Sequence, residues 1–271
     1  MRGQARASVA AALFALASAG ACTPAPIGVA VLPPDALATG LAAHWAFDEG
    51  SGYTAHDSSG NGRDGTVAGY GWAWKADGRF GGALSFSGTD TVAVGAFPQA
   101  TPAFTVSAWL RASADDITST YPLEALLSNE NGIGGWGLYL QSATPTGIIA
   151  PTYLFSYYAW PGLGPPPGPP PAGYAYAGCA CFVPATWVHV AAVVDAEAGE
   201  ATLFVSGAAP VRVTVPTAIS AGQPMLLMGR WPLPGGPRSL VGTLDDVAIW
   251  MRALAPEEIA LLEGAPAPDV P

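Results

Sequence analysis

Oxygen-bearing side chains are concentrated in the ten residues from Asp57 to Thr66, DSSGNGRDGT. Two kinds of chemistry suit such a run. One is a tight turn bonded by its own Asx side chains; the other is a site for a hard cation, which takes about six to eight oxygen ligands. Asp57, Ser59, Asn61 and Gly62 follow the start of an EF-hand calcium loop with one serine substituted. The twelfth position of that loop, a bidentate glutamate, is here Ala68, and the flanks lack a helical pattern. A cation at this stretch therefore needs another scaffold and donors from elsewhere.

Other reactive constellations are sparse. There is no G-x-S-x-G nucleophile elbow and no H-E-x-x-H zinc helix. His44, His56 and His189 stand apart, and His189 lies in WVHVA, where a strand histidine packed and hydrogen-bonded in the interior is expected. Cys179 and Cys181 occur in GCAC; on an extended strand they share a face, which allows a strained disulfide or leaves two quiet thiols. Two cysteines without further ligands do not make a zinc site.

Positioning such residues requires a core, and half of the 271 residues are hydrophobic. The 34 glycines and 27 prolines imply many turns. The formal net charge is −10, Lys75 is the one lysine, and no basic run follows the extreme N-terminus. Binding to nucleic acid through phosphate neutralisation is excluded on that basis. Carboxylates lacking cationic neighbours remain available to a metal ion.

Residues 1–21 read as a signal peptide. Arg2 and Arg6 precede the apolar run SVAAALFALASAGA, too short for a membrane span, and Ala19-Gly20-Ala21 supplies small residues before a cleavage point. Cys22 follows, as in a bacterial lipoprotein box, although Ala19 occupies the position of the usual large aliphatic residue. The expectation is an exported chain lipidated at Cys22, with plain secretion as the alternative and the anchor as the sole membrane contact. Residues 22–39 form a proline-rich tether.

From residue 40 onward, short β-like runs alternate with turn residues. Strands are expected at about 41–47, 64–69, 82–87, 90–95, 103–111, 124–128, 136–142, 152–158, 186–195, 200–206, 210–215, 224–230 and 239–252. In FTVSAWLR, Phe104, Val106, Ala108 and Leu110 share one face, and Thr105, Ser107, Trp109 and Arg111 the other. One helix is expected at Pro256–Leu262, with Glu257 and Glu258 at its positive end. The tail 264–271 is expected to be disordered. The insert 161–173, PGLGPPPGPPPAG, cannot be a central strand; the aromatics flanking it include Tyr157 and Trp160, the expected ligand contacts.

In order along the chain, HWAFDEGSG, DSSGNGRDGT, GRFGGALSFSGTDTVAV, FTVSAWLR, WVHVAAVVD, ATLFVSG, LLMGRW and GTLDDVAIWMRALAPEEIALL resemble the bacterial laminin-G-like, concanavalin A-like lectin/glucanase domains over residues 40–263. The resemblance implies an all-β jelly-roll sandwich of two antiparallel sheets with one short C-terminal helix. It implies a recognition module for glycan or for an extracellular or envelope protein, commonly with calcium. It brings the first and last strands together, so that Asp48 and Asn61 would meet Asp245 around the ion. Strand alternation lets one of Asp245 and Asp246 face it. The family's hydrolases carry an E-x-D-x-x-E acid cluster on one strand, with carboxylates roughly 5 Å apart for retaining chemistry. This chain has no such cluster, so no enzyme activity is expected. Trp72, Trp74, Trp136, Trp160 and Trp231 are candidate sugar contacts by type, while Trp45, Trp109, Trp187 and Trp250 are assigned to strands of the core. The reading is a non-catalytic, exported lectin-like module with a structural calcium; the alternative is a structural or adhesion domain without a sugar site.

Overall fold

The alternation of FTVSAWLR sets the centre of the first sheet. In the computed structural model, β7 (Ala103–Ala112) turns Phe104, Val106, Ala108 and Leu110 into the core and the intervening residues outward. The structure describes residues 33, 35–98, 101–112, 123–130, 134–141, 152–158, 174–179, 183–215, 222–231 and 238–270; at 123, 141, 152–158, 174–179 and 238 the backbone alone is described.

The first sheet has the order β14 (Val211–Thr214), β13 (Glu200–Val205), β12 (Val188–Asp195), β7, β17 (Val241–Trp250), β5 (Ala83–Ser87) and β4 (Ala73–Lys75). On the side of β17 away from β7, partners change midway: Val241–Leu244 pair with β5, and Val247–Trp250 pair with β1 (Leu41–Trp45). The second sheet runs β11 (Tyr174–Cys179), β10 (Thr152–Tyr158), β9 (Gly135–Gln141), β8 (Leu123–Ser128), β15 (Leu226–Met228), β6 (Thr91–Val94), β3 (Gly65–Ala68) and β2 (Thr54–Ala55). Pairing is antiparallel except where the two-residue β16 (Arg238–Ser239) lies parallel to β8.

Between the sheets lies one apolar core that includes Trp45, Phe86, Phe104, Trp136, Leu138 and Ile249, each at most 2% exposed. Removing such a side chain from water contributes about 1.5–3 kcal/mol. A second cluster covers the outer face of the first sheet, where Leu254, Ile259 and Leu262 pack on Ala191, Ala248 and Trp250. Ile259 and Leu262 belong to α1 (Pro256–Gly264). Its N-terminus is closed by Glu258, which accepts the Ala255 N–H at 2.8 Å and pairs with both terminal nitrogens of Arg252 at 2.6 and 2.8 Å. The Arg252 hydrogen bonds hold the Glu258 carboxyl below its usual range despite burial. Glu258 thus makes specific bonds beyond the helix-dipole role read from sequence.

The two-sheet sandwich with one short helix matches the expected architecture. Four strands escaped the sequence: β2, β4, β11 and β16, each of six residues or fewer and mostly at sheet edges. The tail is not disordered through residue 270. The Ala267 N–H donates to both oxygens of Asp246 at 3.0 Å, Ala267 is buried, and the Val270 N–H donates to the Ser58 carbonyl at 2.8 Å. Backbone groups bonded in this way order a segment whose composition alone predicts none.

Candidate functional site

The change of partner along β17 creates a seam. Between Asp245 and Ala248 the register against β7 shifts, and Asp246 adopts a positive φ of 47°. This bulge breaks the strict alternation of strand side chains. Asp245 and Asp246 consequently line the same cavity, together with His44, Asp48, Phe80, Gly81 and Asp269. The expectation that only one of the two aspartates would face the site is corrected by the bulge. The cavity measures about 280 Å³.

Each acid at the seam has a defined partner. One oxygen of Asp245, Oδ2, accepts the N–H groups of Arg79 and Phe80 at 2.5 and 2.9 Å. Its other oxygen, Oδ1, is buried without a hydrogen-bond partner. Burial pushes the Asp245 carboxyl up to about 7; the two N–H groups oppose the rise and the Asp246 charge adds to it. Asp48 is exposed and its Oδ1 accepts the N–H of Gly82. The two carboxylates thereby hold the turn 78–82, GRFGG, from both ends. Gly81 sits at φ 73°, and a Cβ there would collide with the Asp48 carboxylate, so this turn requires glycine. Asp246 accepts His44 Nε2 at 2.7 Å, while His44 Nδ1 lies 3.3 Å from the exposed Asp269.

Asn61 is not at this seam. Its amide donates to the carbonyls of Leu41 and Ala42 at 3.1 Å and to Ser59 Oγ at 3.0 Å, at the opposite end of β1 from Asp48. The stretch around it is organised by Asp57, whose carboxylate accepts the N–H groups of His44 at 3.0 Å, Ser59 at 3.0 Å and Arg63 at 2.8 Å. Burial would raise the Asp57 carboxyl, but bonds from Ser59, His44 and Arg63 hold it below the usual range. Asp64 accepts the Asp57 N–H at 2.9 Å, and Trp45 Nε1 donates to the Arg63 carbonyl at 3.0 Å. DSSGNGRDGT is thus a self-bonded turn clamped along β1. The expected trio of Asp48, Asn61 and Asp245 reduces to a pair. Among the described residues no three His, Cys, Asp or Glu side chains converge in a metal-binding arrangement.

The expected ligand contacts are placed unevenly. Tyr157 lies in β10, opposite Trp136 of β9 and Ala175 of β11. Trp160, the insert 161–173, Cys22 and Cys181 lie outside the described residues, as does the signal segment; Cys179 ends β11, paired with Tyr153. Trp136 is 2% exposed and packs on Phe104 in the core, which removes it as a sugar contact. Trp231 is half-buried, with Nε1 donating to Glu130 at 2.8 Å. Trp72 and Trp74 are half-buried at the edge of the first sheet. Sequence reasoning missed Tyr53 and Tyr70, which are 72% and 101% exposed. A tyrosine flanked by glycines in GYGWAW was the available signal for Tyr70.

The fold meets its counterparts among known proteins. A family model described as the concanavalin A-like lectin/glucanases superfamily (Laminin_G_3) matches residues 86–260, and the chain belongs to that superfamily. No curated protein sequence matches significantly. Among solved structures, the chain is similar to domain 4 of AbnA, a GH43 extracellular arabinanase from Geobacillus stearothermophilus in complex with arabinotriose. The identity is 22% and the TM-score 0.53, over 82% of this chain and 97% of that one. It is also similar to the binding domain of Paraclostridial Mosquitocidal Protein 1, at 15% identity and TM-score 0.60 over 83% of this chain. The botulinum neurotoxin serotype D binding domain follows at 13% and 0.57, also over 83% of this chain. The chain spans 52% of each of these two toxin binding domains. At these identities the likeness is one of fold.

Proposed function

We propose that the chain is a non-catalytic recognition module that is exported, held at the cell surface through Cys22 or released, and binds glycan. The observation that carries this reading is how the buried acids are employed. Asp90, Glu124, Glu130, Asp245, Asp246 and Glu258 are the buried carboxylates among the described residues, and each accepts a bond from a fixed donor of the protein. Glycoside hydrolysis needs two carboxyls free to meet substrate. Of the six, Asp245 alone keeps a buried oxygen without a hydrogen-bond partner, and one carboxyl does not make such a pair. Domain 4 of AbnA, solved in complex with arabinotriose, and a botulinum neurotoxin DC binding domain, solved in complex with SialylT, lend support to a saccharide ligand.

Calcium fits the seam within this reading. Asp48 and Asp245 would hold it, because both line the cavity and Asp245 Oδ1 is buried and unpartnered. The ion would supply positive charge to a pocket lined by four aspartates and so brace the first strand against the last. Its part is structural, apart from the ligand.

A glycan array probed with the full chain, in calcium and in EDTA, tests the reading. Binding of the unaltered chain to a defined saccharide is the expected result. Release of reducing sugar from a β-glucan by the purified chain would overturn it. A second reading, a protein-adhesion domain, is favoured by the neurotoxin DC binding domain solved in complex with rat synaptotagmin II. An array without hits, joined to crosslinking of one envelope protein, would establish that reading instead.

A further inference from the structure

We propose that Tyr53, Trp72 and Trp74, with Tyr70 two residues before Trp72 in the chain, form a stacking platform for a neutral saccharide chain. The proposal rests on the glycan reading above and assigns it a different place from Tyr157 and Trp160. The rings form a file that starts in the core. Phe47, fully buried, lies 6.4 Å from Trp74; Trp74 lies 6.2 Å from Trp72; Trp72 lies 5.4 Å from Tyr53. The last two contacts are edge-to-face, an arrangement that fixes ring orientation.

The file runs along one flank of the sandwich, where the edge strands of both sheets end. Tyr53 directly precedes β2, the last strand of the second sheet; Trp74 belongs to β4, the last strand of the first. The backbone on both sides is pinned. Trp74 Nε1 donates to the Gly52 carbonyl at 3.0 Å, and the Val67 N–H donates to the Tyr53 carbonyl at 2.8 Å. Held in this way, the rings lose little freedom when a ligand arrives, which favours affinity.

Tyr70 is an independent observation. It is fully exposed at the apex of a turn that the protein specifies in detail. Buried Asp90 accepts the Gly71 N–H at 3.0 Å, and the Ser87 N–H and hydroxyl at 2.7 Å each. Gly69, at φ 128°, presses so closely on Asp90 that a Cβ would collide with it. A turn built this tightly presents an aromatic ring to solvent at a cost in hydration. Tyr53 and Tyr70 are the only exposed aromatics among the large hydrophobic side chains of the described residues.

Size and chemistry point to the occupant. A stable protein partner covers roughly 800 Å² on each side. Two exposed and two half-buried rings offer less, an area suited to two or three sugar units. The apolar C–H faces of a sugar stack on such rings, and tyrosine hydroxyls are free to bond ring oxygens and hydroxyls.

The test uses the full chain and measures binding of arabinotriose, xylotriose and cellotriose by tryptophan fluorescence and calorimetry. Tyr53→Ala, Tyr70→Ala and Trp72→Ala are compared with Leu261→Ala, an exposed control on the helix, and with Tyr157→Ala. The expected result is a Kd raised more than tenfold by Tyr53→Ala or Trp72→Ala, at an unchanged melting temperature for Tyr53→Ala, with Leu261→Ala neutral. Saccharide binding that survives all three platform variants overturns this site and leaves the glycan reading standing. No binding of any probe by the unaltered chain, joined to an empty glycan array, overturns both.

Discussion

Asp245 and Asp246 are adjacent in a strand yet line one cavity, because Asp246 sits at φ 47° in a bulge where β17 passes from β5 to β1. Two carboxylates on one side of a strand are costly to gather without a counter-charge. Here the load is divided: Asp245 holds the turn at Arg79–Phe80, and Asp246 holds His44 and the tail at Ala267.

Removal of calcium is predicted to lower the melting temperature of the intact chain. An ion present at about 100 times its Kd adds on the order of 2.7 kcal/mol. The calcium-dependent rise should vanish in Asp48→Asn and in Asp245→Asn and persist in Asn61→Ala. Identical melts with and without EDTA, after metal removal is verified by mass spectrometry, would remove the ion from the seam.

Asp57→Ala is predicted to destabilise the fold by roughly 2–4 kcal/mol, because the N–H groups of His44, Ser59 and Arg63 lose one shared acceptor. Urea unfolding measures the loss. An effect below half a kcal/mol would mean that water replaces the carboxylate without penalty.

Gly69→Ala is predicted to cost about 2–3 kcal/mol, since a side chain at φ 128° is strained and this one meets Asp90. Gly50→Ala is the comparison: its φ is 67° but nothing lies within 4 Å of its added Cβ. Equal losses at the two positions would show that backbone strain alone matters and that the Asp90 clamp contributes nothing.

The contribution of His189 to stability is predicted to fall between pH 6.5 and 4, against the opposite trend of Asp245, whose carboxyl is raised to about 7. Burial holds this histidine down at about 4 in the folded chain, against an ordinary value of 6.5. Within that window the unfolded chain binds more protons at this residue, so its contribution rises with pH and is complete above 6.5. The effect is on the order of 2–3 kcal/mol at about 1.4 kcal/mol per unit. His189→Gln, which retains a partner for Ser107, should gain in urea midpoint relative to the unaltered chain as pH drops from 6.5 to 4; a difference that stays constant across the window would exonerate this residue. The carboxyls of Asp57, Asp90 and Glu258 are held low, so their contribution is lost only in stronger acid, as pH falls through their folded values.

Much of the fold was legible because buried strands carry a period of two. Phe104, Val106, Ala108 and Leu110 announced their face, and the core received them. The seam was legible only in part. Asp48 and Asp245 could be brought together by the order of strands, but the choice of Asn61 depended on which end of β1 its turn would reach. That is set by the Asp57 carboxylate and the carbonyls of Leu41 and Ala42, whose directions no residue type encodes. The bulge at Asp246 was equally invisible, since a positive φ on an aspartate leaves no mark in composition. Tyr53 and Tyr70 were missed for another reason: a tyrosine in a turn and a tyrosine in a core look alike until burial is known.

The grip of Trp250 and Arg252 on the approach to β1 has a mechanical consequence. Trp250 Nε1 holds the Leu37 carbonyl at 2.6 Å, and Arg252 holds those of Ala36 and Thr39 at 2.6 and 2.7 Å while paired with Glu258. A pull applied to residue 36 therefore loads three bonds at once and is passed to the last strand and the helix before β1 feels it. A chain moored by its N-terminal side would meet drag in shear, with these side chains as its strain relief.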